Sequence, residues 1–200
     1  MLRTMTFLLD ESLALRARYD EEPSHTDHVA MLALQIFDGL TDWHGFGQRE
    51  RELLQSAALL HDIGWSQTPD GKGHHKWSEQ LIKAHPWKAL KPDEVVLVAL
   101  VARYHRKTSP RPEHADFHAL PPATQRRVMV LGGILRLADA LDRTHTGKIQ
   151  RIQATATPAA IMIAVEATGP WEAERLMFEV KRDMLYLAAE RPVLWGTSAE

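Results

Sequence analysis

The sequence contains no cysteine among its 200 residues. This absence excludes a disulfide framework, and it excludes a zinc site built on thiolates. Long apolar runs are also missing, since stretches such as Val95–Val101 are too short to cross a bilayer. The first residues include Asp10 and have no small-residue cleavage site for a signal peptidase. We therefore expect a cytoplasmic protein that does not associate with membranes.

An excess of either charge is missing as well. Lysine and arginine number 24 and the acidic residues 26, so the formal net charge is −2. No basic stripe with interleaved aromatic residues appears, and we expect no nucleic-acid partner. The hydrophobic content of 44% and the charged content of 25% fit a single globular domain, residues 1–200. The eleven histidines are the compositional anomaly.

Apolar periodicity indicates a mainly α fold with a small β element near the C-terminus. Two short alternating runs with Pro158 between them predict a β-hairpin, Ile149–Thr157 and Ala160–Ala167. We expect irregular connections at Thr41–Gln48 and Thr108–Pro122, and a tail from Arg191. The predicted helices are Met5–Asp20, Ser24 to about Leu40, Arg49–His61, His74–Ala84, Pro92–His105, Ala123–Leu141 and Trp171–Ala189.

The run Ala57–Trp65 ends an apolar helix in the pair His61–Asp62, with a glycine two residues later. At a helix end, an imidazole and a carboxylate can converge on one ion, and both are ligands for divalent first-row metals. The alternative is that His61 satisfies the last helix carbonyls and Asp62 is an ordinary surface acid. The dipeptide alone leaves both interpretations open.

Other histidines and one aspartate also lie at or near the ends of separate predicted helices. This ordered set is His25, His61–Asp62, His74, His105 and Asp139. His28 shares a helix face with His25, since three residues separate them. We expect the remaining histidines to have no ligand role: His44 solvated, His85 a helix C-cap, and His114 and His118 in an irregular connection.

Taken together, these motifs resemble the HD superfamily of metal-dependent phosphohydrolases, whose order is H…HD…D. The closest resemblance is to the C-terminal HD-type domain of the Ppx/GppA family of exopolyphosphatases and pppGpp phosphatases. The motifs that carry it are His25-Thr-Asp-His-Val-Ala30, Leu59-Leu-His-Asp-Ile-Gly64, Gly73-His-His-Lys76, Val101-Ala-Arg-Tyr-His-Arg-Lys107 and Leu137-Ala-Asp-Ala-Leu-Asp-Arg-Thr-His145. The resemblance implies an HD-type helical core over residues 22–148, with the hairpin and final helix, 149–200, as an appendage.

The same resemblance implies a set of metal ligands. His25, His61, Asp62 and Asp139 are the core ligands, and His25 is preferred to His28 because Val29-Ala30 follows at the family's spacing. His74 and His105 are further ligands or phosphate contacts, and Asp62, His74 and His105 are the expected catalytic residues. One or two divalent ions per chain are implied (Mn, Fe, Co, Ni, Zn or Mg). Trp65 is a departure, since some HD subfamilies have lysine there.

Basic residues near these motifs are candidates for contacts with substrate phosphate: Lys72, Lys76, Arg106, Lys107, Arg136 and Arg143. Arg136 and Arg143 are seven residues apart and are expected to share a helix face with Asp139. The alternative for these two arginines is a salt bridge to Asp139 or Asp142. The alternative for Lys72 is a place in a mobile surface loop.

We therefore expect a metal-dependent phosphohydrolase acting on a nucleotide or another small phosphorylated metabolite. The actin-like domain that accompanies this domain in the full-length family has no counterpart in these 200 residues, so polyphosphate hydrolysis is not carried over. The alternative is a regulatory HD module that binds nucleotide or metal and pairs with an actin-like partner. A homodimer is possible in either case.

Overall fold

The structure is a computed structural model that describes the backbone of residues 2–197 and the side chains of residues 7–196. The predicted mainly α fold is confirmed, and no helix within the described range is long and apolar enough to cross a membrane. The ends of the predicted tail and of the 1–200 domain lie outside the described residues. The helices are α1 (Leu2–Arg16), α2 (Pro23–Gly39), α3 (Thr41–His44), α4 (Gln48–Leu60), α5 (His74–Ala84), α6 (Pro92–Arg103), α7 (Ala115–His118), α8 (Pro122–Ala140), α9 (Glu172–Lys181) and α10 (Asp183–Ala189). The strands are β1 (Ile149–Ala156), β2 (Ile161–Ala167) and β3 (Val193–Thr197).

Helices α2, α4, α6 and α8 form the centre of the fold. Helix α2 packs against α4, α8 and β1, while α6 packs against α4 and α8. In α2 the apolar residues recur at helical spacing, and Val29, Leu32, Ala33 and Ile36 are fully buried. Burying each large aliphatic side chain of this kind contributes about 1.5–3 kcal/mol. The ends of these helices therefore sit on a rigid core.

The predicted hairpin is present as β1 and β2, but the region after it differs from the predicted single helix and tail. The predicted helix Trp171–Ala189 is two helices, because the chain turns at Arg182, which donates to the carbonyl of Val193 at 2.7 Å. This turn lets α10 lie directly on α8, where a Cβ on Gly133 would come within 2.8 Å of the Leu185 nitrogen. A third strand, β3, pairs parallel to β2 and makes the hairpin a three-stranded sheet.

Both predicted irregular connections contain a single helical turn, α3 in the first and α7 in the second. The prediction that His44 is solvated is wrong: its exposed fraction is 3%. Its Nε2 lies 3.0 Å from the Phe37 carbonyl, and its Nδ1 accepts from the Phe46 amide at 2.9 Å. Both ring nitrogens are therefore used within the fold.

Gly64 determines how the turn after α4 meets α5. A Cβ at this position would lie 2.1 Å from the carbonyl oxygen of His74, so any larger residue would push the two segments apart. The buried Ser78 joins them, accepting from the Gly64 amide at 3.0 Å and donating to the His61 carbonyl at 2.6 Å. This contact places the end of α4 beside the start of α5.

Candidate metal centre

Four buried histidine rings have their Nδ1 atoms held by the protein and their Nε2 atoms directed towards one another. His61, His74 and His105 each place Nδ1 on the carbonyl three residues back in the chain, at 2.7, 2.8 and 2.6 Å. His25 instead places Nδ1 2.8 Å from Asp142 Oδ2. Since a carbonyl or carboxylate accepts, each Nδ1 carries a hydrogen, and in the neutral form of each ring Nε2 has a free lone pair. This is the tautomer that binds a metal through Nε2.

Asp62 divides these four histidines into two pairs. Its Oδ1 lies 3.3 Å from His74 Nε2 and 3.4 Å from His105 Nε2. Its Oδ2 lies 3.6 Å from His61 Nε2 and 3.9 Å from His25 Nε2. One carboxylate therefore faces both pairs of imidazoles, with one oxygen turned to each.

Asp139 faces only the first of these pairs. Its Oδ1 lies 3.6 Å from His25 Nε2 and 3.8 Å from His61 Nε2. His25, His61 and Asp139 form one group of potential ligand atoms within 4.8 Å of one another, and His61, Asp62 and His105 form a second. The first histidine pair thus meets two carboxylates, and the second pair, His74 and His105, meets one.

The donor set fits divalent metal. Nitrogen and oxygen ligands bound to one first-row ion at about 2.0–2.1 Å lie roughly 3–3.4 Å apart, which is the spacing of His74, His105 and Asp62 Oδ1. Among the described residues, the buried atoms His25 Nε2, His61 Nε2 and Asp62 Oδ1 have no hydrogen-bond partner. Unpaired buried polar atoms are costly. A cation beside His25 and His61 would satisfy the two ring nitrogens, and one beside His74 and His105 would satisfy Asp62 Oδ1.

The charges around the site keep its two carboxylates, Asp62 and Asp139, ionised, which is the form that can bind a metal. Burial alone would raise the pKa of Asp139, but the Lys181 ammonium and the nearby His25 ring hold it well below its ordinary value. Burial likewise opposes a lowered pKa for Asp62, and His61 and His105 outweigh it. Burial lowers the pKa of His74 and lowers that of His105 well below its ordinary value, so both rings are neutral.

His25 behaves differently. Burial lowers its pKa, yet the nearby carboxylates of Asp139 and Asp142 raise the pKa to about 10. Without metal this ring carries a proton at neutral pH. Metal binding at His25 therefore has to release that proton, which makes affinity depend on pH.

Two residues that the sequence did not indicate complete the surroundings. Asp142 orients His25, and its position three residues after Asp139 was the available signal, since such spacing places two side chains on one helix face. The second is Lys181, whose ammonium contacts Asp139 Oδ2 and lies 3.2 Å from the His105 carbonyl. Lys181 comes from α9, 42 residues along the chain, and no local pattern predicted it.

The candidate metal centre opens to the surface through an acidic mouth. This cavity of about 210 Å³ is lined by Asp20, Glu21, Glu22, His25, Thr26, Asp62, Trp65 and His145. His145 stacks on the His25 ring with centroids 3.8 Å apart, and it pairs with Glu22 at 2.6 Å. A ligand that enters this way passes three carboxylates before it reaches Asp62.

A second, larger cavity of about 460 Å³, the basic cleft, lies next to Trp65 and His74, since its lining residue Gly71 contacts Trp65 and its Arg106 lies 3.4 Å from His74 Nδ1. The two rings stack with centroids 4.6 Å apart, and Trp65 covers Gly71, where a Cβ would lie 1.8 Å from the indole. No described residue lines both cavities. The cleft is lined by Asp70, Gly71, Lys72, Gly73, His75, Lys76, Arg103, Tyr104, Arg106, Lys107, Thr108 and His114.

The six predicted phosphate-contact residues are therefore divided. Lys72, Lys76, Arg106 and Lys107 line the basic cleft rather than the acidic mouth. Arg136 is buried, and it donates to Asp183 at 2.8 Å and to the Lys107 carbonyl at 2.9 Å, so its guanidinium is not presented to a ligand. The alternative of a salt bridge to Asp139 or Asp142 named the wrong partner, since the carboxylate is that of Asp183. Arg143 is exposed beyond the end of α8, and the expected shared face with Arg136 is not formed.

Of the other histidines, His28 points to Gly147 and does not join the four rings. His85 is the C-cap residue of α5, as expected. His114 accepts a hydrogen bond from the Tyr104 hydroxyl at 3.0 Å, and His118 Nε2 donates one to the Arg111 carbonyl. The structure therefore brings together all six predicted ligands and separates them from these four histidines.

Residues 11–183 match the family described as Ppx/GppA phosphatase, domain III. The matched range includes α2, α4, α5, α6 and α8, from which the six converging ligand residues come. It also includes Asp142 and Lys181. The match thus covers the whole candidate metal centre and most of the chain.

Proposed function

The chain belongs to the Ppx/GppA phosphatase family, as its domain III, and from that premise we propose that it is a metal-dependent phosphohydrolase of the HD type. Membership of the family indicates a phosphatase-related function. The finer assignment is that the centre around Asp62 hydrolyses a nucleotide or another small phosphorylated metabolite.

The observation that carries this proposal is the position of Asp62 between two pairs of imidazoles. Each oxygen of this carboxylate lies 3.3–3.9 Å from two Nε2 atoms, so Asp62 could be a ligand in both groups. Such paired sites, with ions about 3.5–4 Å apart, stabilise both the attacking and the leaving oxygen in phosphoryl transfer. His25, His61, Asp62 and Asp139 would hold one ion, and Asp62, His74 and His105 a second.

Hydrolysis joins a water oxygen to phosphorus and breaks the bond to the ester oxygen, which leaves with a proton. A bound divalent ion supplies Lewis acidity and lowers the pKa of water. The chain's own contributions are the fixed tautomers of its histidines, the ionised Asp62 and Asp139, and the ammonium of Lys181 at the edge of the site. The Lys181 charge lies where it can offset negative charge that develops on a phosphoryl group.

A phosphatase screen on metal-loaded protein tests the proposal. Purified protein is loaded with Mn²⁺, Co²⁺, Ni²⁺, Zn²⁺ or Mg²⁺ and assayed for phosphate release from nucleoside mono-, di- and triphosphates and p-nitrophenyl phosphate. We expect turnover that is lost in Asp62→Ala and kept in Asp42→Ala, a matched control on the exposed α3 turn. Equal rates in the two variants would contradict the assignment.

The acidic mouth favours a second candidate, a regulatory module that binds metal or nucleotide without turning it over and pairs with an actin-like partner. Asp20, Glu21 and Glu22 repel an anionic substrate at the entrance, and Lys181 already occupies one oxygen of Asp139. Stoichiometric metal with no phosphate release on the whole panel would favour this module. Turnover that depends on Asp62 would exclude it as the sole function.

A further inference from the structure

The basic cleft has a surplus of positive charge that the fold does not use. Five cationic side chains line it, against the single carboxylate Asp70. Lys72 pairs with Asp70, and Arg103 pairs with Glu79. Within residues 7–196, the remaining three, Lys76, Arg106 and Lys107, have no carboxylate partner. Three unpaired cations in one cleft give it a positive potential, which favours an anionic ligand.

A buried polar atom also lacks a partner in this cavity. His75 lines the cleft with an exposed fraction of only 7%, and its Nδ1 has no hydrogen-bond partner among the described residues. A buried ring nitrogen left unpaired is unfavourable unless a ligand or water satisfies it. His75 therefore supplies a fixed polar contact in addition to the mobile lysine side chains.

The backbone of the cleft is shaped on both walls. On one wall, Gly73 is the N-cap of α5 and has no side chain to cap the first turn, where the amides of His74 and Lys76 donate to the carbonyls of Gly71 and Gly73. On the other wall, Lys107 has a left-handed backbone with φ of 69°, a conformation that is unfavourable outside glycine. Arg136 holds the Lys107 carbonyl, and Asp183 holds Arg136. The buried arginine thus keeps Lys107 in place against that strain.

We propose that the basic cleft is a second ligand site, which binds a phosphate group carrying two or more negative charges that is not hydrolysed there. The nearest link to the metal centre is Arg106, whose Nη1 lies 3.4 Å from His74 Nδ1 on the far side of the ring from Asp62. Two sources could supply the same group: a distal phosphate of a substrate that extends past Trp65, or a free phosphate effector.

The first test uses the full chain after removal of metal by chelation, so that it does not depend on hydrolysis. Isothermal titration with pyrophosphate is compared for the wild type, Lys76→Met/Arg106→Met, and the control Lys88→Met/Arg18→Met, which removes two exposed cations elsewhere. Each lost charge-assisted contact should weaken binding about tenfold or more. We expect that loss in the cleft variant, and in His75→Phe, with the control unchanged.

The Asp62→Ala variant separates this proposal from the proposed hydrolysis. It should bind pyrophosphate as the wild type does, since Asp62 does not line the cleft. Equal affinities for the wild type and the cleft double variant would overturn the second site, as would loss of binding in Asp62→Ala alone. Circular dichroism on each variant checks that the helices are intact.

Kinetics on metal-loaded protein then distinguish the two sources. If the ligand is a distal substrate phosphate, the cleft double variant should raise KM for a nucleoside triphosphate and leave KM for p-nitrophenyl phosphate unchanged. If it is an effector, added pyrophosphate should change turnover of p-nitrophenyl phosphate in the wild type and not in the double variant. Either pattern supports the site, and identical behaviour of the two proteins in both assays would contradict it.

Discussion

The acidic mouth and the basic cleft both lie next to the Trp65–His74 stack, and they combine charge and burial in opposite ways. The mouth exposes carboxylates in front of buried imidazoles whose nitrogens are unpaired. The cleft exposes cations around a buried histidine, His75. The comparison indicates that the mouth is suited to cations and the cleft to anions, so basic residues close to a motif in sequence need not serve the same ligand.

The largest effect should come from Asp62, because both pairs of imidazoles depend on it. Asp62→Ala removes one oxygen from each group, and we expect metal affinity to fall by more than about 100-fold, since the second carboxylate reaches only one pair. Elemental analysis and metal titration measure this. The phosphate affinity of the cleft should not change. If Asp62→Ala keeps stoichiometric metal, the role given to Asp62 behind the acidic mouth is contradicted.

A smaller loss is expected for Asp142→Asn, which keeps the size of the side chain and removes the charge that orients His25. Removing such an outer partner costs about 10–100-fold in metal affinity. The pKa of His25 should also fall from about 10, because Asp142 is one of the groups that raise it. The titration of His25 in metal-free protein can be followed by NMR. An unchanged metal affinity together with an unchanged His25 titration would contradict the role given to Asp142.

The sequence predicted the convergence of the candidate metal ligands better than the positions of the basic residues, for a physical reason. His25, His74 and His105 lie at or just beyond helix ends, and helix bounds follow from apolar periodicity and glycine positions, so their convergence could be anticipated. The destinations of Arg136 and Arg143 depend on where α8 ends and on contacts with α10. The turn that creates the second of the two C-terminal helices has no local signature.

The same reasoning explains why Lys181 was missed and why the prediction for His44 was wrong. Lys181 reaches Asp139 only because α9 packs against α8, a tertiary contact that sequence spacing does not encode. His44 looked like a loop residue because Gly45 and Gly47 follow it, yet a single helical turn buries it against Phe37. In both cases a long-range contact overrides the local pattern.

Lys181→Met should have a moderate effect in the opposite direction. The ammonium occupies Asp139 Oδ2 and places a positive charge beside the proposed metal. Without it we expect metal affinity to rise by roughly threefold or more, since a repelling charge is removed from a partly buried site. Competition with a metal-sensitive dye measures the change against Lys88→Met. A weaker affinity in Lys181→Met would mean that the lysine holds Asp139 in its ligand orientation.

The smallest effect should come from the mouth itself. Glu21 is exposed and lines the entrance, so Glu21→Gln removes one repelling charge from the path of an anionic substrate. We expect KM for a nucleotide to fall by about twofold at low ionic strength, and the difference to shrink as salt is added. Glu172→Gln, at an exposed position on α9, is the control. A salt-independent change would indicate a structural effect rather than electrostatic repulsion.

The central claim is that His25, His61, Asp62 and Asp139 hold a divalent cation behind the acidic mouth. Anomalous X-ray diffraction from crystals of the full chain grown with Mn²⁺, measured at the manganese absorption edge, tests it most directly. The account predicts a strong anomalous peak within bonding distance of His25 Nε2, His61 Nε2, Asp62 and Asp139, with a second between Asp62, His74 and His105 if two ions bind. A well-ordered site with no anomalous peak among these side chains would contradict it.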